Sequence, residues 1–159
     1  MSLNTFEYVN KLLLVAAESL SIQYTKETPT TLNLFCSENE GAFIANLSLV
    51  ETGRTPINSS LDNITYTVDL MVIVSRDYDL TNEAILEAEN DARKIISKYT
   101  YLLKQNKFCN VQNQGFAKVY REGGFGGAGI AGQITISLPD KDDNCDVFCN
   151  DMTIDVDKC

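Results

Sequence analysis

Two stretches of the chain repeat apolar residues at spacings of three and four, which is the pattern of amphipathic helices. Between Asn4 and Leu20 the apolar positions are Phe6, Val9, Leu13, Ala16 or Ala17, and Leu20. Between Asn82 and Gln105 they are Ile85, Ala88, Ala92, Ile95, Tyr99 and Leu102, widened by Leu86, Ile96 and Leu103. Thr81 offers a side-chain oxygen to cap the second stretch, and acids precede bases along it, as the helix dipole favours. We predict a helix in each stretch, with one face buried.

Six other segments carry the apolar alternation or β-rich composition of strands. They are 32–36, 43–49, 64–74, 108–120, 133–138 and 152–156. The first two are predicted to form a hairpin, and 108–120 is interrupted by polar residues, which indicates a bulged or edge strand. In 64–74 the polar residues Thr65, Thr67 and Asp69 give way to Met71 and Ile73, so one end of this strand should be covered on both faces inside the sheet.

This order of elements predicts an α+β fold. A mainly antiparallel sheet is packed by an N-terminal helix and one long central helix, and the segments 108–120 and 133–138 form a long hairpin with a Gly-rich tip. No repeat or linker divides the chain, whose 159 residues suit a single core. We expect residues 1–139 to form a single α+β domain and 140–159 to be an acidic, Cys-containing C-terminal segment of the same domain.

Composition and charge reduce the number of possible classes of function. The formal net charge of −9 opposes sequence-specific nucleic-acid binding. Glu7 and Lys11 interrupt the first apolar stretch, so no export signal is expected. The longest apolar run, 12–17, is far below the roughly 20 residues of a membrane helix, so no membrane partner is expected.

Histidine is absent, which excludes mechanisms that need an imidazole base or ligand. No phosphate-binding Gly-Lys-Ser/Thr motif or Gly-x-Ser-x-Gly elbow occurs either. We predict that the protein is not an enzyme and needs no cofactor. An enzyme that uses only carboxylates ranks third among the hypotheses, because carboxylates can act as acid and base without a sequence motif. The five cysteines are expected to be reduced, with Cys36 and Cys109 as buried small apolar residues.

Two segments without hydrophobic periodicity are the candidate assembly contacts. Segment 51–60 contains Arg54 and Pro56 and is predicted to be a loop that acts as a contact arm. Segment 123–132 is predicted to be a flexible hairpin tip that docks against a neighbour, and an exposed loop without a partner is the alternative. Its candidate contacts are Gly123, Gly124, Phe125, Gly126, Gly127, Gly129, Ile130 and Gly132. A dinucleotide fingerprint also fits these glycines, but an alternating segment follows where that motif requires a helix.

The C-terminal segment concentrates negative charge. Residues 140–159 contribute a side-chain balance of −5 to the total of −9. Asp140, Asp142, Asn144, Asp146 and Asp151 occupy positions 1, 3, 5, 7 and 12 of a calcium-loop pattern. Cys145 replaces the glycine of that loop and Asp151 replaces its bidentate glutamate, so a solvated acidic segment without metal is the preferred interpretation.

The element order resembles that of the small α+β neck, connector and tail-completion proteins of tailed bacteriophages. The resemblance covers the N-terminal helix, strand 64–74, helix 82–105 and the hairpin with its tip at Gly123 to Gly132. It implies a homo-oligomeric ring subunit that contacts other neck or tail proteins of the virion and is assembled in the host cytoplasm. The alternative is a small cytoplasmic module that binds a ligand or a peptide.

Overall fold

Five strands form one sheet in the order β1-β2-β3-β5-β4. The structure is a computed structural model that describes residues 4–26, 41–59, 61–75, 80–120 and 127–140. Its elements are α1 (Thr5–Ser19), β1 (Gln23–Thr25), β2 (Phe43–Asn58), β3 (Leu61–Ser75), α2 (Asn82–Lys104), β4 (Asn110–Tyr120) and β5 (Ala128–Pro139). Every neighbouring pair is antiparallel except β1 with β2. The predicted α+β class, with its mainly antiparallel sheet and two helices, is confirmed.

Both helices begin at capped residues, and the cap at Thr81 is the one that the sequence predicts. The Asn4 side chain accepts from the Glu7 amide at 2.8 Å, and the Glu7 carboxylate accepts from the Asn4 amide at 3.0 Å. This reciprocal capping box satisfies two amides that have no partner within the helix. The Thr81 hydroxyl accepts from the Ala84 amide at 3.2 Å and caps α2.

The two helices cover one face of the sheet, called here the helix face. The core on this face combines α1 residues such as Leu12 and Leu13, α2 residues such as Ile96 and Leu102, and alternate residues of β3 and β5. Two buried hydrogen bonds fix α1 to the α2 region: the Tyr99 hydroxyl donates to the Leu13 carbonyl at 2.8 Å, and the Asn106 amide donates to the Tyr8 hydroxyl at 2.6 Å. These bonds allow tyrosine to occupy a core that excludes unpaired polar groups.

The opposite face of the sheet, called here the second face, changes character along β3. Phe43, Ala45, Met71, Ile73 and Val119 form a buried apolar cluster at one end. Thr65, Thr67 and Asp69 occupy the other end, where they are half-buried. The prediction that one end of this strand is covered on both faces, within the interior of the sheet, is confirmed.

Some strand predictions differ from the structure or lie outside it. β1 was not predicted, because three residues are too few to show a hydrophobic period. β3 and β5 are longer than the predicted 64–74 and 133–138. The predicted strands 32–36 and 152–156 lie outside the described residues, as does the predicted hairpin of 32–36 with 43–49.

Candidate assembly surface

Segment 51–58 belongs to a strand, which corrects the prediction of a loop at 51–60. It forms the distal part of β2 and pairs with β3 from Tyr66 to Leu61. Bulges interrupt the pairing between Asn46 and Ser48, between Glu51 and Gly53, and between Pro56 and Asn58. Each bulge adds a residue and resets the alternation, so no period of two is visible in the sequence. Most of the predicted contact arm is therefore strand that pairs with β3.

Arg54, a predicted contact, lies on the helix face opposite Ile64, among three carboxylates. Its guanidinium Nε is 3.0 Å from Glu51, and its Nη1 is 3.1 Å from Asp140 and 3.7 Å from Asp62. Its hydrogen bond to Glu51 is the main cause of a raised pKa at Arg54. The three acids exceed the single base, so this end of the hairpin retains negative charge.

The edge of β2 that faces away from β3 is covered by β1 over only part of its length. β1 pairs only with Phe43, Ile44 and Ala45. In the part of the chain that the structure describes, no strand pairs with this edge from 46 to 58. Two large apolar residues of this stretch are exposed, Val50 by 53% and Ile57 by 52%. Pro56, the other predicted contact of the arm, is also exposed, and an edge strand tolerates its missing N–H.

β4 forms the other edge of the sheet, as the polar interruption in the sequence predicts. Within the described ranges, β5 is its only strand partner. A bulge lies between Asn113 and Gly115, where Gly115 has φ of 116°, a value that favours glycine. Beyond the bulge, the stretch from Phe116 to Tyr120 pairs regularly with β5. Lys118 is exposed there and forms no ion pair with any described residue.

A shallow groove of about 350 Å³ runs beside β4 on the helix face. Its lining comes from the first half of α2 and the end of β4: Asn82, Ile85, Leu86, Glu89, Lys118 and Tyr120. Leu86 is 57% exposed, although the helical pattern predicts it within the buried stripe. An added strand beside β4 would place its own helix-face side chains near this groove.

The predicted glycine tip at 123–132 overlaps a strand, because β5 begins at Ala128. Gly129, Ile130 and Gly132 lie in β5 between β3 and β4, so they belong to the sheet and not to a flexible tip. A Cβ at Gly129 would overlap the Val72 carbonyl oxygen, and one at Gly132 would overlap the Gly115 carbonyl oxygen. These two glycines therefore permit close strand approach. Gly127 precedes β5 and is buried, whereas Gly123, Gly124, Phe125 and Gly126 lie outside the described residues.

Of the residues that form the calcium-loop pattern, only Asp140 is among those that the structure describes. The Asp140 carboxylate accepts a hydrogen bond from Arg54, and the backbone amide of Asp140 donates to the Asp62 carbonyl at 2.8 Å. Asp142, Asn144, Asp146 and Asp151 lie outside the described residues. No group of three or more potential metal ligands occurs in the described ranges.

Cys109 is the one cysteine among the described residues. It packs against the core on the helix face, and burial raises the pKa of its thiol to about 12. Because the thiolate is the nucleophile, the raised pKa makes this thiol weakly reactive at pH 8. Cys109 is half-buried, so the prediction of an apolar environment holds but that of full burial does not.

We expect Cys109 to resist alkylation in the folded protein at pH 8 and to react readily in urea, where the pKa returns toward its ordinary value. Iodoacetamide labelling followed by peptide mass mapping measures Cys109 separately from the other cysteines. Equal labelling rates with and without urea would contradict the assignment.

A second depression lies on the second face, where the apolar end meets the polar end. It has a volume of about 570 Å³, and its lining is Leu47, Ser48, Asp69, Leu70, Ala131, Gly132 and Gln133. The Asp69 carboxylate accepts from the Ser48 hydroxyl and from the Gln133 amide, each at 2.7 Å. The site is wide and open, and it presents a carboxylate whose orientation is fixed by two strands.

Comparison with known families and curated proteins does not assign a function to this surface. The sequence matches no protein-family model, and no curated protein is significantly similar to it. No helix within the described ranges is long and apolar enough to cross a membrane.

Val50 and Lys118 are not among the contacts that the sequence predicts, and Glu51 is included only as the first residue of segment 51–60. Each is an isolated residue without a motif, and its position depends on the strand order, which no local pattern encodes. The one sequence signal for this surface is a lysine, Lys118, within a segment that is predicted to be an edge strand.

Proposed function

We propose that this protein is a structural subunit of a head-tail connector or tail-completion ring in a tailed bacteriophage. The main support is that, among the described residues, two edges of the sheet with different composition have no strand partner, β4 on one side and β2 beyond Ala45 on the other. Closed rings larger than dimers need a heterologous interface, in which one patch meets a different patch of the next copy. The two edges meet this requirement.

The fold and charge support the same proposal. The helix–sheet–helix–hairpin order is the one that the resemblance to neck and tail-completion proteins rests on. The formal charge of −9 suits an assembly that conducts DNA without binding it. Two exposed apolar residues, Val50 on β2 and Leu86 on α2 beside β4, suit surfaces that become buried on assembly.

Light scattering across a concentration series tests the assembly part of this proposal. We expect a mass several times 17.6 kDa that rises with concentration to a plateau, and closed particles in negative-stain images. A strict monomer at all concentrations would overturn self-assembly.

Antibody labelling tests the place of the protein in the virion. Antibodies to the chain should label the junction of head and tail in particles of the virus that encodes it, and labelling elsewhere would overturn the assigned place.

A small ligand- or peptide-binding module is the second candidate. The depression at Asp69 favours it, because a fixed carboxylate beside Leu47 resembles the mixed lining of ligand sites. A monomer whose melting temperature rises with a ligand, and whose Asp69→Asn variant loses that response, would favour this candidate over the ring.

A further inference from the structure

We propose that β4 of one copy adds, as an antiparallel strand, to the open edge of β2 in the next copy, with Lys118 opposite Glu51 and Val119 opposite Val50. This inference rests on the proposed ring function and names the contact that would build it. Edge pairing of this kind derives affinity from main-chain hydrogen bonds and specificity from alternate side chains.

Strand directions within one copy make the pairing antiparallel. β2, β3, β5 and β4 are consecutive neighbours in the sheet, and each pair is antiparallel. β4 therefore runs opposite to β2. A copy rotated about an axis along the strands places its β2 antiparallel to the preceding β4, with the helices of both copies on the same side of the sheet.

The position of β1 sets the displacement between copies. β1 already occupies the edge of β2 at Phe43 to Ala45, so an added strand must lie farther along β2. The register with Lys118 opposite Glu51 satisfies this condition, and it keeps all of β4 clear of β1. Strands tilted to the ring axis accommodate such a displacement, as in β-barrels.

The register pairs Leu49 to Glu51 of β2 with Lys118 to Tyr120 of β4, and these residues lie in regular parts of both edges. On β2, Ser48 to Glu51 lies between two bulges, and on β4, Phe116 to Tyr120 follows the bulge at Gly115. Bulges protect edge strands from pairing, so the regular stretches between them are the available templates.

Side chains on both faces are complementary in this register. Lys118 and Glu51 lie on the helix face, because they neighbour the core residues Ile130 and Tyr66 in the sheet. The charge of Lys118 would meet the excess negative charge around Arg54. On the second face, the exposed Val50 would pack beside the buried Val119 and extend the apolar cluster there.

Disulfide trapping tests the register. A mixture of Glu51→Cys chains and Lys118→Cys chains is oxidised, and the linked residues are identified by peptide mass mapping, which separates them from native cysteines. We expect a 51–118 disulfide, because directly opposed strand residues lie within disulfide distance. A chain with both substitutions should give a ladder of covalent multimers on a non-reducing gel.

The outcomes separate this proposal from the proposed function. Large particles of the wild-type chain without a 51–118 link would overturn the edge pairing and leave the ring standing. A predominant 118–118 link would show β4 pairing with β4 in a two-fold dimer, and it would overturn both. A strict wild-type monomer would overturn the ring together with the contact that depends on it.

Charge reversal gives a second, independent readout. Glu51→Lys or Lys118→Glu alone should weaken association by about fivefold to tenfold, since like charges directly opposite each other destabilise a strand pair. The double reversal should restore association. Glu87→Lys and Lys98→Glu, at exposed positions of α2, are the matched controls and should leave association unchanged. Failure of the double reversal to restore association would contradict the assigned pair.

Discussion

Gly129→Ala should destabilise the fold by about 3 kcal/mol or more, which is a large part of the stability of a domain of this size. The added Cβ would overlap the carbonyl oxygen of Val72 in the central strand β3. Backbone atoms of a central strand cannot move aside as a flexible side chain can, so β3 and β5 would have to separate. Urea unfolding followed by circular dichroism measures the effect.

Gly53→Ala is the matched control for this substitution. Gly53 also lies in a strand with an ordinary backbone, but a Cβ there would meet only the Thr65 Cβ, at 3.7 Å. This distance is a normal van der Waals contact, so Gly53→Ala should change stability by no more than about 1 kcal/mol. Equal midpoints for Gly129→Ala and Gly53→Ala would contradict the close approach at Gly129.

Phe43→Ala should cost about 3–5 kcal/mol, because it removes a large, fully buried side chain and leaves a cavity. Phe43 lies on the second face, opposite Ile73 and within the cluster that contains Met71 and Val119. A loss of this size would show that the domain has substantial packing on both faces of β3. Thermal and urea unfolding of the purified variant measure it.

Val50→Ala is the control on the same strand. Val50 faces the same side of the sheet as Phe43 but is 53% exposed in the single chain. Its truncation should change the stability of dilute monomer by about 0.5 kcal/mol or less. A loss below about 1 kcal/mol for Phe43→Ala would contradict the packing assigned to the second face.

The elements with strong periodicity could be predicted from the sequence. The bounds of α1 and α2 agree with the predictions to within one residue, because both helices have strong apolar periodicity and Thr81 marks the start of α2. The burial of Met71 and Ile73 followed from the change of pattern within one strand. Phe6 and Leu86 were assigned to buried faces but are 46% and 57% exposed, because a wide apolar stripe exceeds what a helix on a sheet can cover.

The candidate surface was less predictable, for two physical reasons. Bulges in β2 changed which face each residue occupies, so an edge strand containing Arg54 and Pro56 had the pattern of a loop. The glycines at 129 and 132 were interpreted as a source of flexibility, whereas they permit close packing against distant segments. That packing depends on the β3–β5 and β4–β5 pairings, which local composition does not encode.

The bond between Tyr8 and Asn106 joins residues 98 positions apart, and this separation has a consequence for folding during synthesis. The first helix leaves the ribosome long before the second helix and the last two strands that complete its packing surface. The β2–β3 hairpin, whose contacts are local, can form early, whereas α1 must wait for most of the chain. Until then its apolar residues, such as Leu12 and Leu13, stay accessible to chaperones.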